Sequence, residues 1–182
     1  LVNKEIERRT IYTIMARPIS RTAFILGKYA GLTLTLFVNL SIMLAVFLAT
    51  LLLYRMPISA SLLQAVALIF VEILVVTAVA LVFSTFSSTT LSAILTLGMY
   101  VIGHLTADIR SLASNSESVA AKALVNVFYY LVPNLEMLNI KGQAAVGLLV
   151  TPQYLTLAIA YGMLYVAVLL SAACWIFRQR DF

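Results

Sequence analysis

One carboxylate, one imidazole and one thiol stand inside the long apolar stretches of this sequence, and each could do chemistry there. Glu72 interrupts residues 61–85, a run otherwise free of charge. An ionised carboxylate near mid-bilayer costs about 2.5–3.5 kcal/mol on insertion scales, so it needs a partner or a task. At 1.5 Å per helical residue it lies ~18 Å from the inner end of its helix, and Asn39, Ser41, Tyr100 and Tyr165 fall at similar depths on their own runs. Together they make a candidate polar layer. Two readings stand for Glu72: a translocation-path or gating group, or a protonated or hydrogen-bonded side chain that joins helices. His104, the single histidine, is either a proton-sensitive group at an outer gate or an interfacial aromatic satisfied locally, with Asp108 four residues on. Cys174 is the one cysteine, so no disulfide forms within the chain. It reads as a small hydrophobe.

No other chemical constellation is present. The phosphate-cradling pattern G-x-x-x-x-G-K-[ST] does not occur; Gly98 and Gly103 have the glycine spacing, but His104 follows where lysine is required. One histidine and one cysteine 70 positions apart make no metal-ligand set. The chain is expected to bind no cofactor or metal and to be no enzyme, so any energy it uses comes from a partner.

Composition says what positions these groups. Of 182 residues, 63% are hydrophobic and 10% charged, and the mean hydropathy is +1.04. Soluble domains run near ~45–50% apolar and ~25% charged. A soluble enzyme domain, a disordered chain and a disulfide scaffold are all excluded, and a lipid bilayer is the expected solvent. Twelve basic against seven acidic residues give a net charge of +5. The basic residues form no single patch, so nucleic acid is not an expected partner.

The expected fold is all-α and membrane-spanning. Four transmembrane helices are predicted, near residues 23–54, 61–85, 91–107 and 154–177, each about 20 residues or somewhat longer or shorter. Arg55, Pro57 and Ser59 break the chain after the first span, and residues 87–90 form a polar turn after the second. An outer segment, 108–153, separates the last two spans. Within it residues 119–132 are apolar around Lys122 and too short to cross, which predicts an interfacial or re-entrant helix. Gly142, Gly147 and Pro152 break the remainder. Gly27 and Gly31, four apart, suit close helix packing, or a contact between two copies. With residues 1–28 inside, the inner segments hold eight of the twelve basic residues. That places both ends in the cytosol.

Residues 1–22 are the charge-dense part and form the first unit; residues 23–182 form the transmembrane unit. Asn3 can cap a helix, and Pro18 stops it near Ala16. Ser20 or Thr22 can cap the next. On this amphipathic helix Glu7, Thr10, Ile11 and Ile14 share one face by i, i+3, i+4, i+7 spacing, while Glu5, Arg8, Arg9 and Tyr12 occupy another. The apolar stripe is short and tipped by Glu7 and Thr10, which suits a protein groove better than a lipid surface.

Glu5-Ile-Glu-Arg-Arg-Thr10, then Arg17-Pro-Ile-Ser-Arg21 and Gly27-Lys28, resemble the cytosolic coupling segment of ABC-2 type transporter permeases, which lies between the second and third of six spans. The order that follows here is similar, and the ending Phe177-Arg-Gln-Arg-Asp-Phe182 resembles the family's carboxyl terminus. Tyr100-Val-Ile-Gly-His104 and Leu131-Val-Pro-Asn-Leu135 resemble a bacterial branch often associated with multicopper-enzyme maturation. The chain starts at Leu1 rather than Met, and the resemblance implies the carboxyl-terminal part of a permease. It also implies a subunit of an ATP-driven exporter in a bacterial inner membrane, paired with a second permease copy. ATP and magnesium would be held by a separate cytosolic ATPase. Glu5, Glu7, Arg8, Arg9, Thr10, Ile11 and Ile14 would couple to that ATPase; Glu72, with Asn39, Tyr100 and Tyr165, would line the path. Two other classes stay open: a membrane anchor or regulatory subunit that carries no cargo, and a proton-coupled carrier that uses Glu72.

Overall fold

The protein is described by a computed structural model that covers residues 20–106 and 132–179. The seven coupling residues from Glu5 to Ile14, all but the last residue of the expected helix over 119–132, and Asp108 lie outside the described residues. Every regular element within them is helical: α1 (Arg21–Leu53), α2 (Ala60–Phe86), α3 (Thr89–His104), a short 3-10 helix (Leu135–Leu138), α4 (Lys141–Ala145) and α5 (Pro152–Arg178).

Local chemistry sets the boundaries. The Ser20 hydroxyl accepts from the Ala23 N–H and caps α1. Ser88 caps α3 through the Leu91 N–H, and Thr151 caps α5 through the Tyr154 N–H, with Pro152 at the first helical position. These hydroxyls satisfy amides that a helix start leaves without intrahelical partners. α1 stops at Tyr54, where Arg55 turns left-handed at φ 55° and Pro57 follows. Inside the spans, hydroxyls of Thr35, Ser41, Thr50, Thr77 and Ser171 donate back to carbonyls one turn earlier. Polar side chains thereby enter an apolar medium without stranded donors.

Three helices, α1, α2 and α5, are long and apolar enough to cross a membrane. At 33, 27 and 27 residues they run ~40–50 Å, more than the ~30 Å hydrocarbon core. α3 is different from the expected third span. It ends at His104 rather than 107, and its 16 residues make ~24 Å, short of that core.

α2 is the centre of the bundle. In its most apolar stretch 44% of residues are buried, against 0% in α1. It is apolar all round, as a helix with neighbours on every side should be. Its closest neighbour is α5: a Cβ added at Gly162 would run into the Cγ1 of Val71. The main core joins Leu68, Val71, Val75 and Ala78 of α2 to Ala158 and Val166 of α5. A second, smaller core ties Ile25 of α1 to Leu81, Ala173 and Phe177, with the rings of Phe24 and Phe177 stacked at 5.8 Å. Nothing in the described chain approaches Gly27 or Gly31. Their face of α1 is open, as are Phe37, Met43 and Val46 further along.

The segment after residue 132 packs against the helices. Leu135, Leu138 and Ile140 are buried against Ala65, Leu68 and Val71, and a Cβ at Gly103 would lie 2.8 Å from the Pro133 carbonyl oxygen. The segment folds back into the bundle and is stitched there by polar side chains. Gln64 bonds both backbone groups of Val150. The hydroxyl of Tyr154 donates to the Met137 carbonyl, and that of Tyr161 accepts from the Asn134 N–H.

Candidate functional site

Glu72 lies near the middle of α2, with its side chain only 6% exposed. Leu68 and Val75, one turn to either side, are fully buried. An isolated charge there would be costly, and two bases answer it. Lys141, the first residue of α4, donates from Nζ to Oε2 at 3.2 Å. His104, the last residue of α3, brings Nε2 to 3.3 Å from Oε1. Three elements far apart in sequence thus meet at one carboxylate. The pair with Lys141 spans 69 positions.

His104 is approached from both sides. Its Nδ1 lies 3.1 Å from the Tyr100 carbonyl oxygen, which can only accept, so Nδ1 donates there. The Nε2–Oε1 contact has ion-pair distance without hydrogen-bond alignment, and among the described residues Nε2 has no hydrogen-bond partner. Tyr100 supports the imidazole from the preceding turn, with ring centroids 4.5 Å apart.

The expected polar layer assembles only in part. Tyr100 reaches Glu72's surroundings through His104. Tyr165 is half-buried on α5, beside the ring of Tyr161 at 5.7 Å. Asn39 sits on the exposed side of α1, and Ser41 bonds its own helix. Neither is brought to Glu72. His104 meets Glu72 of the neighbouring helix; Asp108, the partner suggested four residues on, lies outside the described residues. Lys141 was not among the expected site residues. The signal was present in principle, because a carboxylate in hydrocarbon calls for a cation, but nothing local singles out Lys141 from Arg55, Arg110 or Lys122. Cys174 is free and partly buried beside the smaller core. Among the described residues no three of His, Cys, Asp or Glu are grouped as a metal site would need.

No curated protein matches the chain, and no solved structure does. The family model described as "Protein of unknown function (DUF2705)" matches residues 1–182, from the first residue to the last, and the chain belongs to that family.

Proposed function

We propose that this chain is the membrane-spanning permease subunit of an ATP-driven exporter of the ABC-2 type, coupled to a separate cytosolic ATPase that binds ATP and magnesium. Four spans carry the path, α3 being the short one, and two permease copies enclose it in a bacterial inner membrane. The observation that carries this reading is the segment Glu5–Arg21 and its attachment. In sequence its Pro-Ile-Ser-Arg motif ends on Ser20, which caps α1, and on Arg21, which donates from Nη1 to the Arg178 carbonyl at 3.0 Å. The beginning of α1 and the end of α5 therefore lie together, as a chain with both ends in the cytosol requires. A movement of the amino-terminal segment would act on two helices at once, a rigid-body switch between access states.

The decisive residues are Ile11 and Ile14. Each is apolar in a charged cytosolic segment, and in an ATPase groove each would contribute up to ~1.5–3 kcal/mol. Ile11→Asp and Ile14→Asp are expected to insert normally but to lose the ATPase on co-purification in detergent, while a change at Tyr12 on the opposite face keeps it. Retention of the ATPase by both Asp variants would overturn the assignment.

Topology offers a separate check. With Cys174 replaced, a cysteine at position 115 should react with an impermeant thiol reagent added outside, and one at position 4 only after permeabilisation. Reaction of position 115 from the cytosolic side alone would reverse the topology.

The imidazole of His104 against the carboxylate of Glu72 favours a second reading, a proton-coupled carrier. Transport that survives an ATPase-site mutation but stops when the proton gradient is collapsed would establish it in place of the first.

A further inference from the structure

Lys141 belongs to two features at once. Its ammonium is bonded to the buried Glu72, yet its own side chain is 46% exposed. It also forms part of the wall of a groove of about 460 Å³, together with Phe47 and Leu51 of α1, Leu62 and Ile69 of α2, and Ala144 of α4. Apart from Lys141 and Ser59 that wall is apolar. Glu72 follows Ile69 by three residues and Ala65, another wall residue, by seven. It therefore lies on the same face of α2, about one turn deeper. Glu72 is not part of the wall itself; Lys141 stands between it and the groove. The helix that carries Lys141 is only five residues long and is followed by Gly147 at φ +74°.

We propose that Glu72 and this groove form a binding site for a cationic amphiphile, an ammonium or guanidinium group attached to one apolar chain, and that Lys141 is the chain's own stand-in for that cation when the site is empty. The proposal rests on the reading of Glu72 as a path group and names the class of cargo. A carboxylate in apolar surroundings must keep a cation or take a proton. Exchanging one ammonium for another preserves that balance and creates no lone charge. The displaced Lys141 is already half-exposed, and its four-carbon stem lets the ammonium reach water. The groove's volume falls within the roughly 300–1,000 Å³ of small-molecule sites. An anionic amphiphile fits worse, because it would have to draw Lys141 off Glu72 and lie beside a carboxylate.

The test is binding of tritiated dodecylamine to the full chain in phosphatidylcholine nanodiscs, with empty nanodiscs subtracted. Wild type is expected to bind saturably. Lys141→Gln, whose amide can still donate to Glu72, should bind about tenfold more tightly. Glu72→Gln should abolish the saturable part in both backgrounds, and dodecanol and dodecanoate should compete poorly. Saturable binding indifferent to Glu72→Gln, better competition by dodecanoate, or no saturable binding in wild type and Lys141→Gln alike would each overturn the proposal. No ATPase is present in this assay. A negative result leaves ATPase coupling standing, and retention of the ATPase by Ile11→Asp leaves this site standing.

Discussion

Gly162→Leu should cost this bundle about 3 kcal/mol or more, at the upper end of what overpacking a core does. Gly162 is where α5 comes closest to α2, and the atom it faces is a methyl of Val71. Val71 cannot step aside cheaply, since a β-branched side chain in a helix has one strongly preferred rotamer. Leucine would have to push the two helices apart along the main core. Gly162→Ala should still destabilise, by about 1 kcal/mol or more, although alanine favours the helix by a similar amount. Val71→Ala should restore much of the loss in the Gly162→Ala background, because it removes the obstructing methyl groups. Unfolding of the purified chain by dodecyl sulfate in mixed micelles measures all three. A Gly162→Ala variant as stable as wild type, with Val71 intact, would show that the helices are not in contact there.

The second large effect is an asymmetry. Lys141→Leu should destabilise by about 1–3 kcal/mol, the cost of leaving a buried acceptor without its donor, whereas Glu72→Leu should cost much less. The two residues share one bond but stand in different surroundings. Removing the ammonium leaves a carboxylate that is 6% exposed with, among the described residues, His104 as its remaining partner. Removing the carboxylate leaves a lysine that is already half-exposed and can turn to water. Restoring apolar contact on both sides, as Glu72→Leu with Lys141→Leu, should recover most of the loss, as replaced buried ion pairs often do. The same unfolding assay, read as a double-mutant cycle, gives the coupling. Equal losses from the two single changes would mean that the pair is solvated in the membrane.

The helices were largely legible because their boundaries are local chemistry. Pro57 and Ser59, the serines and threonines of 87–90, and Pro152 are read directly from the sequence, and each marks a break in the fold. The third helix ends at His104, where the apolar run itself gives no stop signal. The site was legible only in its first member. Glu72 announces itself by being charged in an apolar run. Its partners do not, because α2 is apolar all round and offers no periodic face to say which side meets what. His104 has a carboxylate within one turn in sequence, Asp108, which hides the approach to Glu72 on the neighbouring helix. Lys141 sits after Ile140 in a stretch broken by Gly142 and Gly147. Such a stretch reads as surface, and what brings Lys141 to Glu72 is the burial of Leu135, Leu138 and Ile140 just before it in the main core.

The bond from Arg21 to the carbonyl of Arg178 gives the bundle a pivot. At that end α1 and α5 are fastened by the bond and by the stacked rings of Phe24 and Phe177, so neither helix can swing there without the other. At its far end α1 has no such fastening and borders the groove through Phe47 and Leu51. Two rods pinned at one tip behave as tongs. A small tilt at the pinned tip becomes a wider travel at the free one, in proportion to the ~50 Å length of α1. The travelling end carries Phe47 and Leu51, the α1 wall of the groove that holds Lys141.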